Sequence, residues 1–366
     1  MTQTRTPQLP PSIHATRQIR RIGGTSWVVR PRAVVTGLAL LLACVVLFIV
    51  GIKINEYPLS FLDVGRILLG GGRRAENFVV FDAALPRELV ALLVGFGLAL
   101  SGALTQTLTR NPLATPDILG ITAGAGAAAV LAIAFSTSWG AWLADVGTPI
   151  AALIGGLATA AAMYVLAWPG RSQNGGLDPF RIVLVGVGIT WLLQALTSYL
   201  LTRASVTDVA EAQHWLVGSV SQAVWADVWP ALIAVVIGIG VVSSLSSTIG
   251  VYSLGTDVAR GLGVATNRTT AIILLTAVVV AALSVSAAGP IAFVALLAPQ
   301  VTMRLAGTAT PGPIISGLTG SVLVLAADLL CRTVLPSGLP VGIVTAALGG
   351  PFLVYLMIRM SRRTIT

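Results

Sequence analysis

Long apolar runs separated by short polar stretches dominate the chain. A membrane-crossing helix needs about 20 mostly apolar residues. Ten runs approach or meet that length, near 34–54, 87–107, 117–136, 148–168, 181–201, 227–247, 269–287, 291–304, 312–332 and 340–360. The eighth is short and follows Gly289-Pro290. That predicts a broken or re-entrant segment, which survives at membrane depth only where protein or water satisfies its backbone. The region between the first two runs holds Leu59-Ser60-Phe61-Leu62-Asp63-Val64-Gly65-Arg66-Ile67-Leu68, with apolar residues at helical spacing. It predicts a short helix lying at the interface. Trp215, Trp225 and Trp229 fall in or beside the region between the fifth and sixth runs, which predicts an interfacial aromatic belt.

The stretch 86–128 carries the clearest packing signal. Gly95, Ala99 and Ala103 step by four, as do Gly97 and Ser101, and then Gly120, Gly124 and Ala128. Lipid offers little hydrophobic drive between helices, so small faces that let backbones approach supply the association. Between the two sets lies Arg110-Asn111-Pro112-Leu113-Ala114-Thr115-Pro116. Its two prolines end any helix running through and predict a polar elbow.

Composition agrees with this pattern. Of 366 residues, 55% are hydrophobic and only 10% charged, with a mean hydropathy of +0.91, whereas soluble domains carry about 25% charged residues. The fold class is therefore all-α and polytopic, with about ten membrane helices over 34–360. A basic tail without fixed structure is expected over 1–33, and a short basic tail over 361–366. The net charge of +9 does not indicate a nucleic-acid partner, because the basic residues sit between apolar runs and at the two ends. With ten spans, 15 of the 22 basic residues fall on the side of the termini, against only Asp117, Asp178 and Asp257 among the acids. The positive-inside rule then puts both termini in the cytoplasm.

Some chemistry is excluded. Lys53 is the only lysine and sits in Gly51-Ile52-Lys53-Ile54, so the chain has no Walker A loop, whose lysine must follow a glycine-rich run. Any ATP and magnesium must be bound by a partner. Cys44, Cys331, His14 and His214 are isolated and give no metal-ligand spacing. No catalytic constellation is visible, and the span interiors are almost free of ionisable groups, unlike those of a proton-coupled carrier. Asp328 and Arg332, four apart, read as a structural pair.

Several stretches together resemble the FecCD permeases, the membrane subunits of ABC importers for iron-siderophore complexes, haem and cobalamin. They are Leu85-Pro86-Arg87, Ser101-Gly102-Ala103, Gln106, Asn111-Pro112-Leu113-Ala114-Thr115-Pro116, Leu119-Gly120 and Gly124-Ala125. Farther on come Trp215 to Ser219, Leu254-Gly255, Ala259, Gly261-Leu262-Gly263-Val264, Gly289 to Val294, Ala298-Pro299, Ala327-Asp328 and Leu339 to Thr345. The resemblance covers roughly Ser60 to Arg359. The chain departs from the family pattern at Ala84, at Gln300 and at Gly338, where arginine, histidine and glutamate are common.

The resemblance implies a type II importer permease with inverted-repeat character, spans 2–5 opposed to spans 7–10. It implies a homologous or identical second permease, an ABC ATPase dimer and an extracytoplasmic binding protein, in the cytoplasmic (inner) membrane. The segment Leu254, Gly255, Ala259, Arg260, Gly261, Leu262 and Gly263 would couple to the ATPase. Gly255 and Gly261 are expected to bracket its short helix. Arg87 and Arg332 would meet acidic residues of the binding protein, and reversing the charge of Arg87 is expected to weaken docking without unfolding. Asp178 and Pro179 correspond to an inner gate. A ferric siderophore leads as substrate, with cobalamin or haem as the alternative. An ion-coupled secondary transporter is a further reading, and a membrane enzyme fits least.

Overall fold

A computed structural model describes residues 18–22, 25–54, 57, 59–135, 147–167, 179–252, 255–336 and 338–364. Ten apolar helices account for the ten expected spans. Eight are long and apolar enough to cross a membrane, and two shorter ones, Ile121–Ala134 and Val294–Ala306, take the third and eighth places.

The basic N-terminal region is not wholly without structure. Strands β1 (Gln18–Ile22) and β2 (Thr25–Val29) pair antiparallel, with Ile22 opposite Thr25. Ile19, Ile22, Thr25, Trp27, Val28 and Val29 favour extended backbone. Charge count and polarity concealed this local β propensity. Helix α1 (Pro31–Lys53) starts with proline, whose missing N–H costs nothing at a first turn.

The short helix expected before the second span is present as α2 (Phe61–Leu68). Ser60 Oγ accepts from the Asp63 N–H at 3.1 Å, and Asp63 accepts in return from the Ser60 N–H at 3.1 Å, a reciprocal cap. The Ser60 hydroxyl, which also donates to Asp63 Oδ2 at 2.6 Å, and then the Ser60 N–H hold the Asp63 carboxyl below the usual range. Val64 and Ile67 turn inward while Leu62 stays exposed, as an amphipathic helix requires.

The second span is longer than its apolar run predicts. It begins at α3 (Arg74–Asn77), passes through a π-helical stretch (Phe78–Ala84) and continues as α4 (Leu85–Thr109). Pro86 cannot donate to a preceding carbonyl, and the wider π turn just before it lets the helix carry on. A 3-10 turn (Pro116–Leu119) follows the elbow, then α5 (Ile121–Ala134), α6 (Gly147–Ala167), α7 (Pro179–Arg203) and α8 (Val206–Val217). The rest is α9 (Trp225–Ser244), α10 (Ser246–Tyr252), α11 (Thr256–Gly261), α12 (Thr266–Ala288), α13 (Val294–Ala306), α14 (Pro313–Thr333) and α15 (Val341–Thr364).

Helix α4 is the centre of the bundle: 83% of its apolar window is buried, against 11% for α1. It packs on α9, α12, α13 and α14, and its glycines set the distances. A Cβ on Gly95 would lie 2.5 Å from the Gly320 carbonyl oxygen of α14, and one on Gly102 would overlap the Ala295 carbonyl of α13. The α5–α6 pair crosses the same way, with Gly124 facing the Gly155 carbonyl. Among the stepped small residues, Gly95 and Gly124 are therefore sites of backbone approach, while Gly97 makes room for the Ser284 side chain.

Candidate translocation site

Three helix breaks meet at one junction. Gly218, at the end of α8, has φ +83°, and Gly289, at the end of α12, has φ +68°. The Ser219 N–H donates to the Ala288 carbonyl at 2.9 Å, and the Gly342 N–H donates to the Gly218 carbonyl at 3.0 Å. The backbone groups freed by each break thus satisfy one another, as irregular backbone inside a membrane protein requires. Close approach here needs glycine: a Cβ on Gly218 would sit 2.5 Å from the Pro290 oxygen, and one on Gly342 would overlap the Val217 oxygen. Phe293, with φ +65°, then turns the chain into α13, so the eighth span is broken as its sequence predicts.

Trp215 belongs to this junction, not to an interfacial belt. It is partly buried between two apolar clusters, because α8 folds back against α5 rather than lying as a loop. Trp225 donates to the Phe81 carbonyl at 2.9 Å, and Trp229 is exposed.

The residues of the 101–124 motif support the centre. Gln106 Nε2 donates to the Leu296 carbonyl at 3.2 Å. Gln300 Nε2 donates to Gln106 Oε1 at 2.7 Å and to the Pro112 carbonyl at 3.3 Å. Gln300, where the family pattern often has histidine, therefore ties α4, α13 and the elbow together. Asn111 Oδ1 accepts from the Leu113 N–H at 3.0 Å, forming the elbow as an Asx turn. Gly120 has φ +71° and lets the 3-10 turn pass into α5. Ser101 is fully buried, and its hydroxyl has no hydrogen-bond partner among the described residues.

Arg87 and Arg332 lie in one buried charge network. Arg87 Nη2 donates to Asp328 Oδ1 at 2.7 Å, and its Nε reaches both carboxylate oxygens at 3.2 and 3.1 Å. Arg332 pairs with Asp328 at 2.7 Å and with Glu88. It also donates to the Gly51 and Ile54 carbonyls at 3.0 and 3.1 Å. Arg87 and Arg332 keep 19% and 12% of their side-chain surface, while Asp328 keeps none. Reversing Arg87 would set two carboxylates face to face, so the expectation that such a change spares the fold is corrected. Glu88 was missed in the sequence reading. The signal was an acidic residue in the first turn of an apolar span, which needs a named partner.

The expected coupling segment does contain a helix, α11, and its ends differ from the expected ones. Gly255 caps the start with φ +119°, and a Cβ there would meet Arg110 Nη1 at 3.5 Å. The end is closed by Gly263, not Gly261. Gly263 has φ +82°, its N–H donates to the Arg260 carbonyl and the Val264 N–H donates to that of Ala259, both at 2.9 Å, which is a Schellman cap. Gly261 is the last helical residue. Ala259 is buried, and Arg260 Nε donates to Thr266 Oγ1 at 3.1 Å. Val258 and Leu262, one turn apart, are 48% and 64% exposed. Val258 was not singled out in the sequence. Leu254 and Asp178 lie outside the described residues, and Pro179 opens α7.

A cavity of about 440 Å³ opens beside the junction. It runs from Leu98 on α4 and Asp117 in the 3-10 turn to Ile291 and Ile343 beside the breaks. Asp117 accepts from the Thr122 hydroxyl. It is reached by water at the cavity wall.

Among the described residues, ten apolar helices, three mutually satisfied breaks and a cavity beside them define a multi-pass helical membrane protein. The FecCD transport family model matches residues 41–359. The chain belongs to that family and is a permease of the ABC importer class. It is 36% identical over 333 residues to the ferric enterobactin transport system permease of Escherichia coli, covering 91% of this chain and 98% of that one. It is 38% identical over 329 residues to the achromobactin transport system permease of Dickeya dadantii, covering 88% and 90%. Against the cobalamin import system permease of Halobacterium salinarum it is 35% identical over 305 residues, covering 82% and 79%. A solved inward-facing metal-chelate type ABC transporter superposes with a TM-score of 0.73 at 25% identity, covering 88% of this chain and 98% of that one.

Proposed function

We propose that the chain translocates a ferric-siderophore complex across the cytoplasmic membrane as one of two permeases driven by a partner ATPase dimer. The observation that carries the reading is the match over nearly the whole chain to permeases named for ferric enterobactin and achromobactin transport. Without a Walker A lysine, energy must arrive from outside the chain. The exposed Val258–Leu262 face of α11 suits an ATPase surface groove. The ATP and magnesium belong to that partner. Both termini lie in the cytoplasm, where the basic residues concentrate, and an extracytoplasmic binding protein meets the opposite end. There Arg87 and Arg332, which keep 19% and 12% of their side-chain surface beside their Asp328 and Glu88 partners, would face its acidic residues. The Asp178-Pro179 step between the fourth and fifth spans would serve as the inner gate.

The test is uptake of radiolabelled iron, supplied as several ferric siderophores, in cells with and without the gene, alongside labelled cobalamin. Loss of a ferric-siderophore signal, restored by the gene, supports the reading. Loss of cobalamin uptake alone overturns the iron assignment and favours the second reading, for which the halobacterial relative is the specific observation. Uptake that survives loss of ATP-binding partners and collapses with the ion gradient overturns the importer mechanism.

A further inference from the structure

We infer that the cavity selects ferric chelates without net negative charge, with Asp117 as a specificity-determining residue. The inference rests on the ferric-siderophore reading and deepens it. Fourteen of the described residues line the cavity; among them Asp117 is the only charged one, and none is basic. Thr122 is the one hydroxyl among them, and it is already engaged with Asp117. The other walls are apolar side chains such as Leu98, Val285, Ile291 and Ile343, or backbone at the helix breaks.

An iron(III) tris-hydroxamate core is neutral, whereas an iron(III) tris-catecholate core is trianionic. A trianion entering this space loses hydration and finds no cation or free donor side chain among the described lining residues in exchange, which is costly in a low-dielectric surround. An ionised Asp117 adds repulsion, and a protonated one still supplies no positive charge. A neutral or cationic complex with an apolar exterior meets none of these costs. In a two-permease assembly with an identical partner, the same lining would be presented twice.

The experiment uses cells expressing the chain with its partner subunits and one linear tris-hydroxamate scaffold loaded with labelled iron. The scaffold carries a free terminal ammonium, an acetyl cap or a succinyl cap, so only peripheral charge varies. A ferric tris-catecholate is run in parallel. Wild-type uptake should favour the cationic and neutral forms over the succinylated one. Asp117→Asn keeps the acceptor for Thr122 and should narrow that preference roughly threefold. Ile343→Lys, which adds a cation at an exposed wall position, should narrow it further. Both variants are compared with wild type for each chelate, so delivery by the binding protein cancels. Equal wild-type uptake of all three caps, preferred uptake of the tris-catecholate, or ratios unmoved in both variants would overturn the charge preference. Entry of cobalamin with no ferric complex would overturn the siderophore reading itself, a distinct result.

Discussion

Asp328 holds two arginines at once from a position with no solvent access. Truncating one partner of such a network leaves the others charged and unpaired, which costs about 3–5 kcal/mol. Asp328→Ala should therefore lower the thermal unfolding midpoint of the detergent-purified protein sharply. Arg87→Glu should do the same, and the swap Arg87→Asp with Asp328→Arg should recover part of the loss. An Arg87→Glu protein with the wild-type midpoint would show that the network contributes nothing to folding. Gln300 makes a milder case. Its amide uses both N–H groups, one on Gln106 and one on Pro112. Gln300→Ala leaves the buried Gln106 Oε1 and the partly buried Pro112 carbonyl unserved, at roughly 1–3 kcal/mol. Gln300→His should lose less, since a neutral imidazole keeps one donor. Equal midpoints for wild type and Gln300→Ala would remove the amide from the account.

At the scale of the element, α11 separates the cost of folding from the cost of docking. Gly263 holds φ +82°, where a side chain costs about 1–2 kcal/mol, so Gly263→Ala should fray the helix end. A methyl group added at Gly261 would meet no atom within 4 Å, and its φ is not positive, so Gly261→Ala should be silent in the isolated permease. Val258→Asp and Leu262→Asp change only exposed positions. They should leave the midpoint unchanged while reducing co-purification of the ATPase at least about tenfold, the equivalent of one lost buried apolar side chain. Undiminished co-purification would move the ATPase contact elsewhere. The existence of this helix was legible because Gly255 and Gly261 bracket a short amphipathic piece, Thr256 to Arg260. Which glycine closes it was not, because a Schellman cap and a last-turn glycine look alike in one dimension. The same limit hid the β1–β2 ribbon inside a basic segment and the true start of the second span, where the π turn carries the helix past Pro86.

For the molecule as a whole, the number of spans and the broken eighth one could be read from hydropathy and from Gly289-Pro290. The small-residue steps foretold close crossings, since only contact demands such spacing in lipid. What one dimension could not supply was partnership. Nothing local says that Trp215 faces the core, that Glu88 answers Arg332, or that Gly218, Gly289 and Gly342 share one point. That shared point has a mechanical consequence. Backbone bonds link the end of α8, the end of α12 and the start of α15, so movement of any one of the three must be transmitted or must break a hydrogen bond. Gly342 is the most sensitive place to interfere, because a Cβ there would overlap the Val217 oxygen. Gly342→Leu should push α15 away from α8 and lower the unfolding midpoint by an amount typical of overpacking, about 1–3 kcal/mol. Because α11 lies outside this junction, ATPase co-purification should persist while iron uptake falls to background. Gly342→Ala should give an intermediate loss of both stability and uptake. If Gly342→Leu protein keeps wild-type uptake, the three breaks can move independently and the junction is packing alone. If uptake and ATPase association fail together, the defect is global and the junction has no separate part in transport.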